Sequence, residues 1–155
     1  MPDNSIKRAI ERLVDSGLVS RTELLGCTEE EITQIEKMAG VRLPAAYRYF
    51  LAELGGSAGR FLEGSDFTCS VLSGLRSDAE RLLEECGAER RMSPTEFVFA
   101  AHQGYQFLFF DCHKGNDPPV CLFVEGEEEA REVSRSFSGW LEGCVEDEIA
   151  AWHSN

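Results

Sequence analysis

Apolar residues recur at helical spacing near both ends of the chain and crowd into short β-favouring runs between them. From Ser5 to Ser16, Ile6, Ile10, Leu13 and Val14 fall at i, i+4, i+7 and i+8, and Gly17 stops the pattern. A second helix is predicted after Thr28, with Glu31 three residues on as the partner of a capping box and Glu29 and Glu30 complementing the helix dipole. Ile32, Ile35, Met38 and Ala39 would face inward, and Gly40 would end it. Pro44 suits the first turn of a third helix carrying Tyr47, Phe50, Leu51 and Leu54, closed by Gly55 and Gly56, which would permit positive φ.

The pattern loosens from Ser57, where short strands are predicted around Phe61, Leu62 and Phe67 to Leu72, followed by a helix from Ser77, as cap, to Cys86. Phe97 to Ala101 and Tyr105 to Phe110 read as a hairpin around His102, Gln103 and Gly104. A polar loop, Asp111 to Pro119, leads to a strand over Val120 to Val124 that should neighbour the preceding one. Glu125 to Arg135 is acidic and fits neither pattern. Ser136 can cap a last helix whose apolar face is Phe137, Trp140, Leu141, Cys144, Val145, Ile149 and Trp152. Helices first, strands in the middle and a helix last imply an α+β fold. It should be a single domain over 1–155, a largely antiparallel sheet with N-terminal helices and a C-terminal helix packed on one face.

Three blocks of these residues, in order, resemble the SUKH superfamily, named partly for yeast regulators of cell-wall glucan synthesis. The first runs Thr28, Glu29, Glu30, Glu31, Ile32, then Glu36, Gly40, Leu43, Pro44, Tyr47, Phe50, Leu51, Gly55 and Gly56. The second is Phe99 and Ala100 through Gly104 to Phe109 and Asp111, and the third is Ser136, Phe137, Trp140 and Leu141. The resemblance implies a family-like core at about 28–152, with 1–27 as an N-terminal helical extension. Leu54 departs from it, because many members carry an asparagine there. The bacterial members are mainly immunity proteins that neutralise toxins, so the resemblance implies a non-enzymatic binding protein.

Charge narrows the choice of partners. Twenty-eight Asp and Glu against fifteen Lys and Arg leave a net charge of −13, a field that repels phosphate backbones and anionic lipid and makes nucleic acid and membrane poor partners. No segment has the apolar length of a membrane span, and Met1 to Leu13 is interrupted by charge, so a cytoplasmic location is expected. In such a place the six cysteines, at 27, 69, 86, 112, 121 and 144 with no C-x-x-C pair, are expected as reduced thiols acting as small hydrophobes.

Candidate chemistry is sparse. Asp111, Cys112 and His113, with His102 at the other end of the same strand region, form the sharpest catalytic constellation. In an extended segment, however, Cys112 and His113 would point to opposite sides and could not converge. No hydrolase, metalloprotease, P-loop or dinucleotide motif occurs, so no catalytic residue, cofactor or metal site is expected. The densest acidic run, Glu125, Glu127, Glu128 and Glu129, reads either as a solvated edge or as a docking site, to which Glu63, Asp66, Asp111 and Asp117 could contribute. The preferred reading is an immunity protein that binds a toxin domain, with a regulatory scaffold module as the alternative and a small hydrolase behind it. The oligomeric state stays open.

Overall fold

The computed structural model describes residues 2–154, the first two as backbone only. Its order is α1 (Pro2–Asp15), β1 (Leu24–Leu25), α2 (Glu29–Ala39), α3 (Ala45–Leu54), β2 (Ser57–Ala58), β3 (Ser65–Asp66), α4 (Leu72–Glu85), β4 (Glu96–His102), β5 (Gln106–Asp111), β6 (Val120–Val124), β7 (Arg131–Ser134) and α5 (Phe137–His153). β1 and β2 form a small antiparallel pair, and β3 to β7 form one sheet in sequence order, every neighbour antiparallel. The α+β architecture read from the sequence is the one observed.

Local chemistry explains the helix ends. The Thr28 hydroxyl accepts from the Glu31 amide at 3.1 Å, and the Glu31 carboxylate accepts from the Thr28 amide at 2.9 Å, the reciprocal cap expected. At the other end Gly40 takes φ 70° and donates to the Glu36 carbonyl. Ser136 caps α5 by accepting from the Gly139 amide at 3.0 Å.

The glycines after α3 act differently from expectation. Gly55 has φ −70°, so it supplies no left-handed turn. It supplies space, since a Cβ there would lie 2.7 Å from the Cys27 sulfur and from the Leu51 carbonyl oxygen. Gly26, which the sequence pattern did not single out, is tighter still: a Cβ would fall 1.7 Å from the Ala52 carbonyl oxygen. The segment joining β1 to α2 therefore lies directly on the α3 backbone.

Tyr47 is the hub of the core. It is fully buried and meets Phe110 at 5.1 Å and Phe137 at 5.4 Å between ring centroids, both edge-on, with Phe50, Phe97 and Phe99 completing the ring. Leu51 is buried in the same core, and Trp140 packs against it edge-on to Phe99 at 5.0 Å. The expectation that α3 and α5 share one core with the central hairpin is met.

Four details correct the sequence reading. Met38 and Ala39 are exposed, because α2 lies at the rim of the core and buries only Ile32 fully. α4 starts at Leu72, so Ser77 sits inside it; the apolar run Phe67 to Leu72 splits between a loop and this helix. Phe61 and Leu62 lie in a turn, and the strand falls on Ser65–Asp66. Finally, the sheet is covered on both faces. Phe97, Phe99 and Phe110 meet α3 and α5, while Val98, Phe107, Phe109 and Phe123, on the other face, are buried too. α4 packs along β4, and the segment after it carries the Arg90 guanidinium over the Phe109 ring at 4.7 Å. The ambiguous stretch after Glu125 resolves into a turn and β7.

Candidate protein-binding site

Register brings three turns to one end of the sheet. β4 and β5 are joined through Gln103, Gly104 and Tyr105, and Ser65 of β3 pairs with His102, which sets Glu63 and Asp66 beside that turn. On its other side Gln106 pairs with Val124, and the Glu125 amide donates to the Tyr105 carbonyl at 2.7 Å. The β6–β7 turn with Glu125, Glu127, Glu128 and Glu129 therefore follows directly. Residues separated by some sixty positions in sequence thus share one edge of the molecule, from Glu63 to Glu125.

Most of these carboxylates are exposed. Glu127 is partly shielded and ion-pairs with Arg131 at 3.4 Å. Between the two acidic turns stands Tyr105, 38% exposed, with its ring edge-on to His102 at 5.6 Å. His102 is held in turn by a hydrogen bond between its Nδ1 and the Ser65 hydroxyl, 3.1 Å. An exposed aromatic ring framed by carboxylates combines contact area with a charged rim, the anatomy of a protein-binding patch. The sequence reading missed Tyr105 because strand propensity marks aromatic residues without saying which ones end in a turn.

The turn bearing Glu63 is fixed by α5. Leu62, at φ 58°, donates its amide to the Glu148 carboxylate, 3.1 Å to each oxygen. Burial raises the Glu148 carboxyl above the usual range, against the lowering effect of that bond. Arg60 lies 4.7 Å over the Trp152 ring, which is 38% exposed and so only partly inside the apolar face expected for the last helix.

Asp111 and Asp117 go to the opposite end of the sheet, where β5 finishes and β6 begins. Asp117 accepts from the Ser138 amide at 2.8 Å and the Ser138 hydroxyl at 2.6 Å, tying the loop to the first turn of α5. Asp111 accepts from the His113 amide at 2.9 Å, and that bond holds its carboxyl below the ordinary value. Cys112 to Lys114 form a single 3₁₀ turn and are not extended, which corrects the geometry assumed for Cys112 and His113. The Cys112 thiol is nonetheless a poor nucleophile: burial, reinforced by the Asp111 charge, pushes it up to about 12. Burial does the same to Cys144, also to about 12. All six cysteines are unpaired thiols in the structure.

Among the described residues no group of three or more His, Cys, Asp or Glu side chains is placed to hold a metal ion, and no helix is long and apolar enough to cross a membrane. The fold and its surface thus define an α+β domain whose outstanding external feature is a charged, aromatic-centred end. Over residues 26–143 the chain matches the SMI1 / KNR4 family (SUKH-1), and it belongs to that family. No curated protein matches it. Membership is consistent with an immunity protein or a regulatory module, and the family is generally non-catalytic.

Proposed function

We propose that the chain is a non-enzymatic, cytoplasmic immunity protein, a single domain over 1–155, that neutralises a cognate toxin by binding it. The observation that carries this reading is the convergence of Glu63, Asp66, Glu125, Glu127, Glu128 and Glu129 around the exposed Tyr105 in a family of binding proteins. A basic nuclease domain is the toxin chemistry that suits such a surface. Its own cationic substrate-binding face would be drawn to the carboxylates, and occupation of that face would block access to nucleic acid. No bond is made or broken; the complex inhibits by occlusion.

Co-expression with a toxin gene from the same locus tests the reading. The parent chain should rescue growth, and a variant with Glu125, Glu127, Glu128 and Glu129 all changed to Lys should associate with the purified toxin more slowly, with a weaker salt dependence. Rescue without physical association, or association at the parent rate by a folded charge-reversed variant, would remove the acidic end from the mechanism. Capture of an endogenous partner with no rescue would favour the regulatory-module reading.

A further inference from the structure

Away from the acidic end, α2, α4 and the start of β4 enclose an open groove of about 840 Å³. Its apolar lining includes Ile35, Met38, Leu72, Phe97 and Val98. Met38 is 66% exposed, more than any other large apolar side chain among the described residues. The helical stripe that begins with buried Ile32 thus runs out of the core and continues along the groove wall. The other end of the same wall is acidic: Glu29, Glu30 and Glu31 line it.

The electrostatics favour a cation there. The positive end of a helix dipole amounts to about half a charge, against three carboxylates in the first turn of α2. Of the cations lining the groove, Arg76 is already engaged, by the Glu80 carboxylate and the carbonyls of Glu96, Met92 and Ser93. Lys37 lies near the apolar end of α2, away from the three carboxylates. Glu29 meets Arg48 only at 3.4 Å while remaining 82% exposed, so that pair neutralises little.

Two modes of peptide docking are available to such a groove, and the structure separates them. β3 pairs only with Ala101 and His102, leaving the first part of β4 without a strand partner on that side. Strand addition at this edge would need its outward carbonyls, yet the Glu96 carbonyl already accepts from Arg76 at 2.8 Å. Docking by inserted side chains needs no backbone group. Glu31 and Met38 stand seven residues apart on one side of α2, about 10–11 Å at 1.5 Å per residue. A second helix lying along this wall presents side chains at the same interval.

We propose that this groove docks an amphipathic helix of a partner protein, with an apolar anchor among Ile35, Met38 and Leu72 and a lysine or arginine seven residues away facing the carboxylates of Glu29, Glu30 and Glu31. It is a second interaction surface, separate from the acidic end and independent of whether the partner met there is a toxin.

The test uses the full chain and two synthetic helical peptides of identical leucine, lysine and alanine content. One has leucine and lysine on a single face at seven-residue spacing, and the other has the same residues reordered. Fluorescence anisotropy gives affinity, and the Met38 methyl resonance reports contact. The spaced peptide should bind, shift that resonance, and lose about tenfold in affinity on Met38→Asp and again on Glu30→Lys, the scale of an interface anchor. Both positions are exposed, and circular dichroism checks that the variants fold. Changing Glu125, Glu127, Glu128 and Glu129 to Lys should leave this binding largely unaltered, which separates it from the acidic end. Equal affinity for the reordered peptide, full affinity of Met38→Asp, or no binding by the parent chain would overturn the proposal.

Discussion

Tyr47 packs against the central hairpin and Tyr105 sits in its turn, and their surroundings could hardly differ more. Tyr47 is closed in by five aromatic rings from α3, α5, β4 and β5, whereas Tyr105 stands in a turn between exposed carboxylates. Around Tyr47, position is enforced by close packing, where a missing methylene leaves a void. Around Tyr105 it is enforced mainly by strand register, which delivers the turns to one end, with Glu148 of α5 holding the turn that bears Glu63. The first region should therefore resist substitution, and the second should accept it with little effect on folding.

The largest expected effect belongs to the core. Leu51→Ala, at a fully buried site, should cost roughly 2–5 kcal/mol in denaturant unfolding. A change within the ordinary surface range of about 0.5 kcal/mol would break the contrast at once.

A smaller effect is expected where charge meets the second face of the sheet. Arg90 holds the half-buried Glu96 through both terminal guanidinium nitrogens while covering Phe109. Burial alone would raise the Glu96 carboxyl, but the Arg90 and Ser93 hydrogen bonds prevail and hold it below its ordinary value. A lowered carboxyl adds stability above its unfolded pKa, and that stability is lost as pH falls through the folded one. Arg90→Ala should cost about 1.5–3 kcal/mol at neutral pH, the range for hydrogen bonds to a charged group. Thermal melts across pH should show the cost shrinking as the solution becomes acid.

At the acidic end, Glu125, Glu127, Glu128 and Glu129 changed together to Lys should alter stability by no more than about 0.5 kcal/mol per site. Loss of the cooperative thermal transition in that variant would mean that the turns do more than display charge. The smallest effect is expected inside the core itself. The Tyr47 hydroxyl is buried and has no hydrogen-bond partner among the described residues. Tyr47→Phe removes an unsatisfied polar group while keeping the ring, so it should leave stability nearly unchanged or raise it slightly. A substantial loss measured by urea unfolding would show that the hydroxyl has a partner.

The same contrast explains what was legible in the sequence. Periodicity marked Ile6, Leu13, Leu51, Phe137 and Leu141 as core because burial repeats with the helix, and Thr28 and Ser136 announced their helices through local hydrogen bonds. It failed for Met38, since an apolar stripe does not say where the neighbouring elements stop. It also failed for the start of α4, where Leu72 ends a stretch from Phe67 with strand character and no capping side chain marks the boundary. Of the candidate carboxylates, the run from Glu125 to Glu129 was visible as a run, but its company was not. Joining Glu63 and Asp66 to it, and sending Asp111 and Asp117 to the far end, depends on the pairings of Ser65 with His102 and Gln106 with Val124. Such pairings are long-range facts that no local pattern encodes. The Gly26 and Gly55 contacts belong to the same class, being set by how closely two backbones approach.

The meander order of the large sheet also carries a kinetic consequence. Its strands pair with their neighbours in sequence, so each pairing closes a comparatively short loop, whereas α1 meets α5 across a separation of 134 residues at Arg12 and Glu146. Closure entropy grows with loop length, by about 0.6 kcal/mol per doubling, and local pairings are accordingly the faster ones. The hairpins form the natural nucleus, α5 reaches them early through Phe110 and Phe137, 27 positions apart, and α1 docks last. Weakening the α1–α5 seam should then leave the rate of folding nearly untouched and hasten unfolding, making that seam the latch that sets how long the native state lasts.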